Sequence, residues 1–264
     1  MLIPDPDLIE RFSLAAAAKL SELDIALLVA EVIEPGLEPT SVRRDFDLYV
    51  ADLTHQDINE PQVLLDWCIQ QGYGVTTQIH EQLNLSHVRW VMQHRQGLPI
   101  TLAVVLIELG RRVGLETYGV NFPGHFIVNI AGNLVDPATM QVVDAAQFGE
   151  HKLKASASNS LMQPATPLML GLRMLNNVKA YYLHHQNMAD ALNVLDFQLA
   201  MSRQDAMLVS TLHFERGEIW GRLGAYTAAK GAFAACVDAA PTSAIADKAR
   251  RQLARSDWPD EILH

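Results

Sequence analysis

The chain has 264 residues, 49% of them hydrophobic and 19% charged, which excludes a disordered polymer and provides for a buried core. Its formal charge of -10 has the wrong sign for displacing counterions from a nucleic acid, so that class of partner is excluded. No apolar run reaches the roughly 18 to 20 residues of a bilayer span, and no basic stretch with an apolar follower opens the sequence, so the expected location is the cytoplasm, with no membrane association.

Thirteen acidic and four basic side chains fall within residues 1–60, so nearly all of the negative excess sits there, as a solvated face that aids solubility. The same segment reads as short helices. Ile25, Leu28, Val29 and Val32 follow helical spacing, and Glu34-Pro35-Gly36 stops the pattern. Thr40-Ser41 offers an N-cap ahead of Val42, Phe46, Leu48, Tyr49 and Leu53. Pro61 opens a further helix through Ile69, ended by Gly72-Tyr73-Gly74. These helices, residues 1–83, are expected to pack on the central segment. Cys68 and Cys236 stand far apart in no metal-like spacing and are expected as reduced, buried thiols.

Residues 84–164 change character. Gly97-Leu98-Pro99 opens a run from Ile100 to Val113 that is apolar on nearly every side, which predicts a helix enclosed by protein. Gly114 closes it. Glu116–Phe122 and His125–Ile130 read as strands, and Ala131-Gly132-Asn133 as the turn into Leu134-Val135-Asp136. A buried helix followed by antiparallel strands makes the fold class α+β, mainly helical. Residues 165–264 return to helix and repeat. Gly217, Trp220, Gly224, Ala229, Phe233 and Pro241 match the tetratricopeptide spacing of small and aromatic residues, and Tyr182, Ala191 and Leu195 form a weaker copy. Thr242–Ala254 is the expected capping helix.

A cysteine hydrolase sets its nucleophile at the N-terminus of a buried helix, a histidine on an adjoining strand and a carboxylate on the next strand. This sequence has that order: the helix start at Pro99, then Gly124-His125-Phe126, then Val135-Asp136-Pro137. A hairpin turning near Gly132 puts His125 and Asp136 on neighbouring strands. Four segments then carry a definite resemblance: Gly97 to Ala103, Gly110 to Leu115, Asn121 to Phe126 and Val135 to Pro137. Together they resemble the first member of the bacterial SirB-type family, a transglutaminase-like (papain-like cysteine hydrolase) core followed by tetratricopeptide-like helices. The resemblance implies a cysteine-hydrolase fold of undefined activity.

The departure from that pattern decides the expected function. Active relatives carry cysteine fifteen residues before the glycine that Gly114 matches, and here that position is Pro99. Proline has no nucleophilic atom and no N–H for an oxyanion hole. Pro99, His125 and Asp136 are therefore expected as a remnant triad in a degenerate core. Thr101 is the weak alternative nucleophile, about 200° around the helix from position 99 and expected to bond backbone instead. The expected function is non-catalytic protein interaction through the helical repeats, with Tyr181, Tyr182, Trp220, Arg222 and Tyr226 as binding candidates. The alternative is a hydrolase or acyl-transferase using Thr101, or a water activated by His125 and Asp136. No cofactor is expected. No metal is expected either, since His184-His185 point to different helix faces and nothing completes a site around His80 and His87.

Overall fold

The computed structural model describes residues 5–15, 18–53, 58, 60–76, 81–122, 125–144 and 164–255. By its contacts the chain divides into two units, one of Lys19–Asn177 and one of Met1–Ala18 with Val178–His264. The sequence pattern suggests boundaries at 83 and 164 instead. They differ because contact follows apolar faces: the helices between residues 22 and 70 belong with the central segment, and the first helix belongs with the C-terminal ones.

In the unit of residues 19–177, helix α2 (Glu22–Ile33) starts with a capping box in which Ser21 Oγ accepts from Asp24 N–H and Asp24 Oδ2 accepts from Ser21 N–H. Helix α3 (Pro39–Leu53) begins at Pro39, whose fixed φ suits a first helical position. The Thr40-Ser41 cap is thus corrected: Ser41 lies inside the first turn and its hydroxyl donates to the Glu38 carbonyl. Helix α4 (Pro61–Gln70) follows, with Cys68 on its buried face.

A 3₁₀ turn at Leu83–Ser86 leads into helix α5 (Val88–His94), which is capped by the His87 side chain: Nδ1 accepts from Trp90 N–H at 3.3 Å. On the other side of that ring, Nε2 lies 3.0 Å from Glu34 Oε2. His80 lies outside the described residues. Arg95, in the left-handed region, turns the chain, and Leu98 N–H donates to the Leu85 carbonyl, which fixes the approach to helix α6 (Pro99–Arg112).

Helix α6 is the centre of this unit. Ten of its fourteen residues are buried, including every position from Ile100 to Ile107. Helices α2, α3 and α5 pack on it. The first two strands of a four-stranded antiparallel sheet also pack on it, the sheet being β1 (Thr117–Phe122), β2 (His125–Ile130), β3 (Asn133–Asp136) and β4 (Gln141–Val142), in sequence order. Gly119 opposes Val128, and a Cβ on it would come within 2.5 Å of the Phe126 ring, so glycine is what lets Phe126 lie across β1 toward Ile107. The far end of α6 is tied down by charge. Arg111 donates to both oxygens of the buried Glu22 carboxylate, at 2.5 and 2.9 Å, and its Nε donates to the Thr117 carbonyl.

Helix α7 (Pro167–His184) contains the boundary between the units. In the other unit helix α1 (Pro6–Ala15) packs on α8 (Met188–Met201), with the Phe12 and Phe197 rings 5.0 Å apart. Helices α9 (Ala206–Arg222) and α10 (Tyr226–Ala239) form an antiparallel hairpin through a three-residue connection, and α11 (Ala244–Leu253) covers both. A Cβ at Gly217 would stand 2.6 Å from the Phe233 ring, so the hairpin closes only where the side chain is a hydrogen. Lys179 is buried, and its ammonium is held by Gln198 and Glu215. Among the described residues no helix is long and apolar enough to cross a membrane.

Gly217→Ala should cost about 1–3 kcal/mol through overpacking, despite alanine's better helix propensity. Thermal unfolding checks this, and adding Phe233→Leu should recover part of the loss. Burial lowers the proton affinity of His87 against the opposing pull of Glu34, so the unfolded chain takes up that proton first as pH falls. Stability should therefore drop below about pH 6.5, the ordinary histidine range. His87→Asn, which keeps a capping acceptor without titrating, should flatten the fall in melting temperature over that range.

Candidate functional site

The N-terminus of α6, the start of β2 and the end of β3 meet at one cavity of about 460 Å³. Pro99, Ile100, His125, Phe126, Asp136 and Ala138 line it, joined by Arg173, Asn176 and Asn177 from the first part of α7. The structure thus places Pro99, His125 and Asp136 around a single space.

Each arrives there for a local reason. Pro99 is the first residue of α6 and Leu98 precedes it with extended backbone, so the helix opens with proline at the position where the missing N–H costs no intrahelical bond. His125 opens β2 opposite Phe122 and is exposed. The β2–β3 register, with Val128 opposite Val135, extends to bring Asp136 level with Ile127, two residues from His125 and on the same side of the ladder. Asp136 also starts a turn: its Oδ1 accepts from Ala138 N–H at 2.9 Å, and its carbonyl accepts from Met140 N–H at 2.8 Å. The carboxylate is therefore held facing a loop it helps to build.

The other sequence candidates lie elsewhere. Thr101 is fully buried and does not line the cavity, and its hydroxyl lacks a hydrogen-bond partner. This corrects two expectations, since Thr101 neither bonds backbone nor stands where it can meet a substrate beside His125. The physical reason is the helical rotation between positions 99 and 101, which turns Thr101 into the core. Cys68 is buried too, and desolvation pushes its thiol up to about 12, so it remains protonated at neutral pH. Tyr182, expected on a binding surface, is core: it is 7% exposed, four residues along α7 from the buried Val178. Trp220 packs against the buried Ala229, Phe233, Cys236 and Ala249, whereas Arg222 is exposed and Tyr226 half-buried.

Residues 40–176, just over half of the chain, match the Transglutaminase-like superfamily. The chain belongs to the transglutaminase-like superfamily.

Curated relatives of this transglutaminase-like protein include a UPF0162 protein of Pseudomonas aeruginosa, 30% identical over 150 residues that cover 54% of this chain and 56% of that one. A UPF0162 protein of Xylella fastidiosa is 29% identical over 110 residues, 37% and 39% of the two chains. One from Vibrio cholerae is 22% identical over 174 residues, 62% and 63% of the two chains. The chain spans about half the length of the first curated relative it matches. No solved structure matches it.

The sequence reading missed Arg173. Its guanidinium donates to the His125 carbonyl at 3.0 Å and the Phe122 carbonyl at 3.5 Å, and its Cζ lies 5.8 Å from the centre of the Phe126 ring. Burial holds its pKa below the ordinary arginine value. The matched region ends at residue 176 and so includes this stretch of α7.

If the remnant geometry is intact, Pro99→Cys should return a reactive thiol at a helix N-terminus beside an imidazole. Its alkylation by iodoacetamide at neutral pH should exceed that of glutathione by at least about tenfold, and Pro99→Cys with His125→Ala should lose most of that excess. The two native cysteines are both buried and should contribute little background.

Proposed function

We propose that this protein works by binding a protein or peptide partner and that its transglutaminase-like core is a recognition site without catalysis. The observation that carries this reading is the make-up of the cavity wall: among the described residues it includes no cysteine, serine, threonine or lysine, and the residue at the helix start is proline. What persists is a histidine, a carboxylate, a guanidinium and two amides around a space large enough for a side chain or two. Such a surface orients a ligand by hydrogen bonds and, among the described residues, lacks the thiol, hydroxyl or amine that usually forms an acyl intermediate.

The finer assignments belong to the same proposal. We assign the protein to the SirB-type family on its four ordered motifs, and place it in the cytoplasm. We read its C-terminal helices as tetratricopeptide-like, which the Gly217–Phe233 seat and the antiparallel α9–α10 hairpin support. On that unit the exposed Arg222 and half-buried Tyr226 are the candidates for partner contact.

One observation keeps a hydrolytic reading in view. His125 and Asp136 share the cavity, so a water is a conceivable nucleophile. Turnover of p-nitrophenyl acetate and of a mixed peptide substrate should be the same for the wild-type protein and for His125→Ala, at the background set by solvent. A wild-type rate above that background which disappears in His125→Ala overturns the binding reading.

A further inference from the structure

We propose that a second cavity, between the end of α2 and the start of α5, binds a neutral sugar, with one hydroxyl held between His87 and Glu34. It shares no residue with the cavity at His125, so this inference goes beyond the binding reading and is tested apart from it.

The cavity measures about 570 Å³, a size in the ordinary range of small-molecule sites. Glu34, Asn84, His87, Arg89, Trp90 and Gln93 supply its polar and aromatic wall. Two buried donors in that wall lack a hydrogen bond among the described residues. His87 is 3% exposed, and its Nδ1 accepts from Trp90 N–H, so the neutral ring carries its proton on Nε2. Desolvation holds its pKa below the ordinary histidine value, which keeps the ring neutral at neutral pH. Glu34 Oε2 lies 3.0 Å from Nε2 but off the N–H axis, so the contact is not a hydrogen bond. Arg89 Nε is the second donor, with Asp45 Oδ2 3.9 Å away and beyond bonding reach. A buried N–H without an acceptor is costly, and an occupant that supplies one recovers the loss.

The surroundings of His87 Nε2 narrow the occupant. A donor and a carboxylate 3.0 Å apart converge on one point, and a hydroxyl meets both from a single oxygen, accepting from Nε2–H and donating to Glu34. A peptide amide divides those two roles between separate atoms. An anion would be repelled by Glu34 and Asp45, and an ammonium by Arg89, and the ammonium brings no acceptor for either N–H. Arg89 Nη1 stands 3.7 Å from Glu34 Oε1, so the charges in the wall offset each other and suit a neutral ligand. The exposed Asn84 and Gln93 each offer an amide donor and acceptor for further hydroxyls. Trp90 adds a flat apolar surface, its plane set by the His94 ring stacked at 4.2 Å, which suits the C–H face of a pyranose. A free monosaccharide and a residue of a glycan chain have this chemistry in common.

The test follows the Trp90 indole N–H resonance of the full-length protein by NMR, assigned through Trp90→Phe. The probes are the methyl glycosides of glucose, galactose, mannose and N-acetylglucosamine, the disaccharides cellobiose, lactose and N,N′-diacetylchitobiose, methyl glucuronide and glycerol. At least one neutral sugar should shift the resonance saturably in the millimolar range, and methyl glucuronide should bind roughly tenfold or more weakly than it. Tighter binding of a disaccharide than of its monosaccharides assigns the site to a glycan chain, and equal binding assigns it to free sugars. His87→Asn keeps an acceptor for the cap and loses the Nε2 donor, so it should weaken the best sugar by at least about tenfold in a protein that still melts cooperatively. Glu34→Gln, at a half-exposed side chain, should weaken it several-fold. The proposal is overturned by no saturable shift with any neutral sugar, by a response no stronger than that to glycerol, by tightest binding of the glucuronide, or by unchanged affinity in both variants.

Discussion

The enclosure of α6 governs the rest of the core. A helix that is apolar around its whole circumference has no solvent face, so it is stable only where other elements surround it. Here α2, α3 and α5 and the sheet strands β1 and β2 all pack on it. Once the helix is fixed along its length, its first turn has a single place to open, and that place is the cavity. The Glu22–Arg111 pair secures the opposite end. Charge anchors the C-terminus of the helix while its N-terminus has no cap of its own.

That arrangement accommodates proline at the helix start and two polar side chains beside it. Proline fits the first helical position as well as any residue, so the substitution costs the fold nothing that the helix requires. His125 and Asp136 are retained on strands whose register is set by the core, with Val128 and Val135 both fully buried. Asp136 has a second reason to persist, since its carboxylate organises the turn to Met140. Asp136 thus both lines the cavity and holds the turn beside it.

What could be read in the sequence was what local pattern encodes. The apolar run after Pro99, the alternation of His125 to Ile130 and the turn residues Ala131-Gly132 specify a helix and a hairpin without outside information, and order along the chain brought three site residues together. What could not be read depends on distant pairs. Arg173 lies 48 residues from His125, with the helix face it occupies decided by packing and not by its neighbours. The side of α6 that Thr101 faces was calculable from helical geometry, yet its hydroxyl goes without a partner, and no sequence signal announces that. Tyr182 is aromatic with a polar tip, and the apolar Val178 four residues earlier is the better guide to its burial.

The company kept by α1 has a bearing on biosynthesis. Phe12 stacks near Phe197, so the apolar stripe of the first helix has its lasting cover only after α8 has been made. At ribosomal speeds of about 5–20 residues per second, that interval is on the order of ten to forty seconds. During it, all of residues 19–177 can emerge and collapse around α6, while Leu8 and Phe12 wait uncovered. A nascent polypeptide of this design closes its discontinuous unit only after the intervening one has been made.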